Sequence, residues 1–580
     1  MADIHVFPEA PEGTPESDFV HLHVHSDYSL LDGASKLDTL IAKAKRLNMK
    51  ALALTDHGNM FGVLNFEHIC HANGINPVCG EEFYVAYKDH TEKTDIPFGR
   101  NGHHAHNFHL ILLCKNQTGY KNMCWLSSIA FQEGLYYGKP RIDFELLKRY
   151  HEGLICLSAC IQGEIPQLLM NGRTEEAYQV AKEYKELFGA DHYYIEIQSH
   201  GLEDQIKVAP LLVKLAKDLD IPIVLTNDVH YANQDDAEAQ DALRCIGFKK
   251  LLDEPHQKMG GDQNIAEWYL KTADEMKKIF PQWPEAVENT KKIAAMCDLT
   301  IHQYKTQELK DCLPRFELPA EFRTHGDDYK SDQDDYMRYI VEEGLKKRYK
   351  EITPEIRERV EYELGIIFKM GFSGYFLIVW EFINWSKSTY DNVNKIPKPY
   401  IPIGPGRGSG AGSVVAYCMT ITDIDPFRYK LIFERFLNPE RVSMPDFDVD
   451  MDFDYRQDII QHTRDLYGDP QVGHIVTFGT LKPKNCIADV GRVLNIPLNE
   501  VAMLKKCIPD NPKAKLKDAF TPPDEKHPDN GQLIPYKDDP KYKRLFELAS
   551  KLEGVNRNTG LHASGMVIGL TALPDWAPVF

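Results

Sequence analysis

At 580 residues the chain exceeds one ordinary core, and its length predicts about four domains. Apolar and charged fractions of 43% and 26% exclude a disordered chain, and no apolar run reaches membrane-spanning length. The net charge of −19 excludes a uniformly basic nucleic-acid binder but leaves room for a local positive groove. Twelve cysteines show no paired zinc spacing, and the N-terminus lacks the basic-then-apolar pattern of an export signal. They are expected to be reduced thiols of a cytoplasmic protein.

In chain order, seven β-rich runs come first: "FVHLHV", "ALALTD", "PVCGEEFYV", "FHLILLC", "LICLSAC", "YYIEIQ" and "IPIVLTN". Amphipathic stretches such as "KLDTLIAKAKRLN" and "EEAYQVAKEYKELFG" separate most of them, with apolar residues at helical spacing. Strands alternating with helices predict a β/α barrel-like domain. A Pro- and acid-rich connector, "CLPRFELPAEFRTHGDDYKSDQDD", then marks a boundary. Helices "YMRYIVEEGLKKRY" and "PEIRERVEYELGIIFKMG" follow, then a Gly-rich element and an acidic strand. Lys482, Lys484, Lys505, Lys506, Lys513, Lys515, Lys517, Lys541, Lys543 and Arg544 bias the last part towards positive charge. Such runs are most often solvated helix faces, and a nucleic-acid groove is the minority reading.

Metal-competent side chains gather where the barrel strands end. "HLHVHSDYSLLDG" supplies His23, His25 and Asp32, "LTDHG" His57, "GEEF" Glu82, "CLSAC" Cys160, and "TNDVH" Asp228 and His230. "FHLILL" supplies His109, which departs from the pattern by lying near the start of its run. Strand C-terminal ends are where such barrels place their chemistry. Imidazole, carboxylate and thiolate together suit zinc, manganese or iron better than magnesium or calcium. Any one of these residues alone is more often a satisfied polar group. Nine of them make that reading poor.

These motifs resemble the PHP domain, named for polymerases and histidinol phosphatases. The resemblance implies a distorted seven-stranded β/α barrel holding up to three metals, zinc or manganese, and hydrolysing phosphoesters. All nine ligand positions carry metal-competent residues, which implies a working hydrolase.

"GPGRGSGAGSVVAY" places glycines at 404, 406, 408, 410 and 412 before a helical run, where side-chain-free backbone and free helix-start amides favour phosphate. It lacks the "GKS" or "GKT" of a Walker loop, and a structural turn is the plain alternative. Further on, "FERFLNPERVSMPDFDVD" brings Arg435 and Arg441 close in sequence to Asp446, Asp448 and Asp450. Alternate positions on a strand share a face, so the three carboxylates line one side. Like charges so close call for a cation, and an all-oxygen set suits magnesium.

With "GYFLIVWEFINWSK", "TFGTLKPKNCIADVGRV" and "LEGVNRNTGLHASGMVI", these segments resemble the C-family bacterial replicative polymerases, the DNA polymerase III α subunits, from about residue 18 onwards. The resemblance implies an α/β and α+β multidomain chain. Its parts are an N-terminal extension (1–17), a PHP domain (18–290), a nucleotidyltransferase-type palm (291–477 and 556–580) and a helical thumb (478–555). It implies Asp446 and Asp448 as catalytic magnesium ligands and Gly408 and Ser409 as phosphate contacts. Arg435, Lys484, Arg557 and His562 are implied to meet triphosphate or template. Primer–template DNA and deoxynucleoside triphosphates are the implied substrates. A sliding clamp and other replisome subunits are the implied partners, with no membrane involved. The PHP site is implied as a 3′→5′ proofreading exonuclease. The family's third catalytic aspartate and its fingers are not matched in these 580 residues, so this chain by itself is expected to be polymerase-inactive. The alternatives are a stand-alone phosphoesterase and a barrel whose metals only hold the fold.

Overall fold

The computed structural model describes the chain outside residues 1–4, 98–103, 106, 255–258, 260–264, 303–307, 309–311 and 439–443. It resolves into two compact units. The first comprises Met1–Ile301, Val476–Leu561 and Trp576–Phe580, and the second His302–Ile475 and His562–Asp575. Among the described residues no single helix is long and apolar enough to cross a membrane.

The first unit is built on a seven-stranded sheet: β1 (Ala51–Leu54), β2 (Asn76–Val85), β3 (Phe108–Cys114), β4 (Arg141–Ile142), β5 (Leu154–Leu157), β6 (Tyr193–Ile197) and β7 (Ile223–Leu225). Its order is β1-β2-β3-β5-β6-β7, with the two-residue β4 paired beside β2. Pairing is parallel except around β3, which runs antiparallel to both β2 and β5. Six of the seven expected runs form these strands. The seventh, "FVHLHV", does not form a ladder, yet it closes the curl. Ala53 N–H donates to the His21 carbonyl at 2.9 Å and Thr55 N–H to the Val24 carbonyl at 2.8 Å. On its other edge His25 N–H reaches the Val229 carbonyl at 2.7 Å and Val229 N–H the His23 carbonyl at 3.0 Å. The segment therefore bridges β1 and the residues after β7.

Helices cover this sheet. In α1 (Leu37–Arg46) the buried residues Leu37, Leu40, Ile41 and Ala44 recur at helical spacing and give one apolar stripe. The expected helix at "EEAYQVAKEYKELFG" is α2 (Thr174–Phe188). Helix α3 (Ala237–Phe248) faces a second core, joining Ala239, Leu243 and Ile246 to Leu481, Ile487, Leu545 and Leu552. The segment read as a thumb is helical in this stretch.

In the second unit, α4 (Tyr329–Arg348), α5 (Pro354–Met370), α6 (Ser373–Lys387) and the short α7 (Val414–Cys418) enclose a core of Leu345, Val360, Ile367, Phe376 and Val415. Thr353 caps α5 by accepting from Ile356 N–H, Pro354 occupies its first turn, and Gly371 in the left-handed region ends it. A Cβ on Gly344 would stand 2.0 Å from the Cys418 carbonyl oxygen, so only glycine permits the close packing of α4 on α7. Back in the first unit, α8 (Pro483–Val493), α9 (Leu498–Lys506) and α10 (Pro540–Leu552) form the helical stretch that packs on α3.

Candidate metal centre and aspartate cluster

Seven of the nine expected ligands converge into three overlapping sets with donor atoms within 4.8 Å of one another: His25, His57 and His230; His23, His25 and Asp228; His57, Glu82 and His109. Asp32 and Cys160 stand at the border, with Asp32 Oδ2 3.7 Å from His57 Nε2 and Cys160 Sγ 3.8 Å from His109 Nδ1. Both line a cavity of about 190 Å³ together with His57, Glu82, His109, Asp228 and His230. His109 joins them because β3 is reversed. The start of an antiparallel strand lies at the same sheet edge as the ends of the parallel ones, and Tyr84 near the end of β2 pairs with His109.

The hydrogen bonds behind the ligands fix their tautomers. His23 Nδ1–H donates to Glu196 Oε1 at 2.7 Å. His25 Nδ1–H donates to Ser29 Oγ at 3.0 Å, because the Ser29 hydroxyl is itself given to Asp56 at 2.6 Å. His230 Nδ1–H donates to the Asp228 carbonyl at 2.8 Å. Each Nε2 then presents a lone pair. His23 Nε2 and His25 Nε2 are 3.1 Å apart, and each is 3.1 Å from Asp228 Oδ1, a buried acceptor with no hydrogen-bond partner among the described residues. Lone pairs and a carboxylate oxygen meeting at such distances need positive charge between them. The donor set fits divalent metal ions on that ground.

The titration of Glu82, Asp228 and His25 agrees, whereas against burial Asp228 and Glu196 raise His23 well above its ordinary value, so that a metal there would displace a proton. Burial alone would push the Glu82 carboxyl up, but the imidazoles of His109 and His57 hold it well below its ordinary value. Asp228 is likewise buried and held low by His23 and His230. Burial, reinforced by His57, keeps the His25 imidazole neutral and able to ligate. Asp228 has φ of +44°, and Leu31 and Ala159, which precede Asp32 and Cys160, have φ of +60° and +64°. Positive φ at three non-glycine residues beside ligands is strain of the kind that functional sites hold. Gly33 fixes the Asp32 loop, since a Cβ there would stand 1.9 Å from the Ser26 carbonyl oxygen.

Glu196 was not among the expected residues, though one carboxylate within the apolar run "YYIEIQ" is a readable signal. Arg244, on α3, borders the cavity beside Asp32 and has no local sequence signal.

In the second unit the acidic segment is extended but is not a strand. Only isolated bridges join Arg407 to Asp448 and Ile403 to Met451, because Gly406, with φ of +94°, bends the partner between those points and Gly408, at +68°, turns it just beyond them. The alternation nevertheless holds: Asp446, Asp448 and Asp450 are exposed while Phe447 and Val449 turn inward. Phe447 stacks on Tyr375 with centroids 5.9 Å apart and accepts cover from Phe376 and Phe436. Anchored phenylalanine and valine thus present three carboxylates outward.

Gly408 and Ser409 are exposed beside this segment, and a Cβ on Gly408 would lie 2.8 Å from Asp448 Oδ2. Arg435 is exposed in the same unit, and Arg441 falls outside the described residues. The helix start after the Gly-rich loop departs from expectation. The amides of Val414 and Val415 are taken by the buried carboxylate of Glu363, at 3.2 and 3.1 Å, and the Ser413 hydroxyl donates to it at 2.7 Å. A side chain of this protein already fills the anion position, so the helix-start amides are not open to phosphate. Burial pushes the Glu363 carboxyl up, against the pull of Ser413, the two amides and Arg359.

His562 lies in the second unit, where its Nδ1 accepts from the amides of Ser564 and Gly565 at 3.2 and 2.6 Å. Lys484 and Arg557 belong to the first unit and pair with Asp510 and Asp489, at 2.9 and 3.0 Å. Lys541 and Arg544 are also compensated, by Glu500 at 2.6 Å and Glu238 at 2.6 Å. The basic bias of this stretch is therefore partly neutralised on the surface.

Comparison with known proteins gives two family matches, the PHP domain over residues 21–200 and the bacterial DNA polymerase III alpha NTPase domain over residues 335–580. The DNA polymerase III subunit alpha of Treponema pallidum (strain Nichols) is 51% identical over 563 residues, 97% of this chain and 45% of that protein. That of Borreliella burgdorferi is 46% identical over 565 residues, 97% of this chain and 46% of the relative. That of Campylobacter jejuni is 40% identical over 589 residues, again 97% and 46%. The chain spans about half the length of the curated relatives it matches.

Proposed function

Since this chain belongs to the bacterial DNA polymerase III alpha-subunit family, we propose that its second unit supplies palm elements of a DNA-directed DNA polymerase and its first unit a metal-dependent phosphoesterase. The substrates of the whole protein are primer–template DNA and deoxynucleoside triphosphates, and it works in the cytoplasm with a sliding clamp and other replisome subunits. Asp446 and Asp448 hold magnesium near the primer end. Gly408 and Ser409 give backbone and hydroxyl donors to the triphosphate, while Arg435, Lys484, Arg557 and His562 add positive charge along triphosphate or template.

In the first unit the reaction is phosphodiester hydrolysis at a DNA 3′ end. Zinc or manganese, up to three ions, would supply the charge that activates water and neutralises phosphate oxygens. The chain's own part is to hold the ligands. Glu196 keeps the His23 Nε2 lone pair directed inward, Ser29 and Asp56 do so for His25, and the Asp228 carbonyl does so for His230. The observation that carries this reading is the meeting of two imidazole lone pairs on the unpartnered Asp228 oxygen.

The test is degradation of a 3′-labelled mismatched primer–template by metal-stripped protein given manganese or zinc, beside the variant carrying His23→Ala and His25→Ala. Metal-dependent loss of label that disappears in the double variant supports a nuclease. A wild-type protein that retains its metals, shown by mass spectrometry, and leaves the label intact overturns it.

A further inference from the structure

Helix α3 carries Arg244 into the wall of the metal cavity, where its side chain is only 12% exposed. Its Nε lies 3.0 Å from Asp32 Oδ1. The alignment of that contact is not that of a hydrogen bond, and among the described residues neither Nε nor Nη1, both buried, has a hydrogen-bond partner. A guanidinium offers five donors in a rigid fork and keeps its charge at any working pH. Leaving such donors dry is costly, since they lose their water without gaining an acceptor. Asp32 alone does not explain the arrangement, because its carboxylate is 36% exposed and has water available.

Another cation near this edge, among the described residues, behaves differently. Lys139 Nζ donates to the Tyr84 hydroxyl at 2.7 Å and sits 4.4 Å above the Tyr84 ring, so it is already satisfied. Arg244 instead lies 5.5 Å from the Phe248 ring, four residues along the same helix, and is among the residues that line the cavity. The cavity, at about 190 Å³, is smaller than the roughly 300–1,000 Å³ of sites for drug-sized ligands. It suits one phosphate group with its immediate substituents.

We infer that Arg244 is the phosphate-binding residue of this cavity, its fork taking two non-bridging oxygens of a phosphoester in place of the loose contact with Asp32. The inference rests on the cavity being a phosphoester site, and it adds the side chain that recognises the anion. Bidentate geometry makes the guanidinium, and not merely its charge, the determinant.

The experiment is calorimetric titration of inorganic phosphate into manganese-loaded protein, for the wild type, Arg244→Gln and Arg244→Lys, with metal content measured on each. Arg244→Gln is expected to weaken phosphate binding by about 10-fold or more, as loss of hydrogen bonds to a charged group does. Arg244→Lys keeps the charge without the fork and is expected to recover only part of it. On labelled DNA ends the same substitutions should raise KM with little change in kcat. A wild type that does not bind phosphate, or an Arg244→Gln protein that binds it within about two-fold of wild type, overturns the inference. Metal lost from Arg244→Gln also overturns it, since Arg244 would then serve only Asp32. Phosphate binding that needs Arg244, in a protein that leaves DNA ends intact, sustains the inference while removing the nuclease reading.

Discussion

Glu196 Oε1 lies 2.7 Å from His23 Nδ1, and both side chains are fully buried. The pair sets which nitrogen of His23 faces the cavity. Removing such a supporting carboxylate typically lowers metal affinity about 10–100-fold. Glu196→Gln is therefore expected to lose metal to a competing chelator at correspondingly lower chelator concentration. Unchanged metal retention in the variant would mean that His23 is held by its packing alone.

Buried Glu363 joins Ser413, the first amides of α7 and the partly exposed Arg359 in one cluster, with Arg359 Nε 2.7 Å from its carboxylate. Breaking a buried pair by removing one partner costs about 3–5 kcal/mol. Glu363→Ala should lower the unfolding free energy by up to about that amount, read as a lower urea midpoint at unchanged slope, and Glu363→Gln, which keeps an acceptor, should lower it less. A midpoint for Glu363→Ala within error of wild type would contradict the plugged helix start.

His200 is buried, donates Nε2–H to the Asn227 carbonyl at 2.9 Å, accepts from Gln205 at 2.8 Å and stacks on Trp268. Burial pushes its pKa down to about 4, against the pull of the Asn227 carbonyl and Asp228, with Lys271 acting in the same sense as burial. Between about pH 6.5 and that value the unfolded chain binds the proton and the folded one does not. Stability is thus fully present above pH ~6.5 and falls as pH drops towards 4, by up to about 3 kcal/mol from this residue. His200→Gln should flatten that part of the stability–pH curve, and an identical slope in both proteins would show that His200 titrates normally.

Asp448 is exposed, and its neighbour Phe447 carries the packing. Asp448→Asn should therefore change stability by no more than about 0.5 kcal/mol. It should also abolish any rise in thermal midpoint that magnesium gives to the second unit. A magnesium effect that survives both Asp446→Asn and Asp448→Asn would locate the ion elsewhere.

The cluster around the cavity was legible because each candidate ligand carries its own chemical signal and all but His109 sit at or near the end of an apolar run. His109 looked out of place only because strand direction cannot be read from one run. Once β3 is antiparallel, the exception becomes the rule at the same sheet edge. The "FVHLHV" run was legible as extended chain, but its lack of a ladder was not, since that depends on bonds to residues about thirty and two hundred positions away. Glu363 and Arg244 were invisible for the same reason. Each is an ordinary charged residue on a helix, and only its distant partners, Val414 and Asp32, give it meaning. The glycine run suggested an anion site at a helix start, yet the structure supplies the anion itself.

The shared core beneath α3 has a practical consequence for anyone dissecting this chain. Its apolar face, Ala239, Leu243 and Ile246, is covered by Leu545, Leu552 and their neighbours more than two hundred residues later, and Lys36 and Asp27 reach Glu553 and Asn556 across the same seam. A barrel expressed as residues 1–301 would expose that face to water and present a sticky patch. Such a product is expected to aggregate on purification, whereas one that retains residues 476–561 keeps the patch covered.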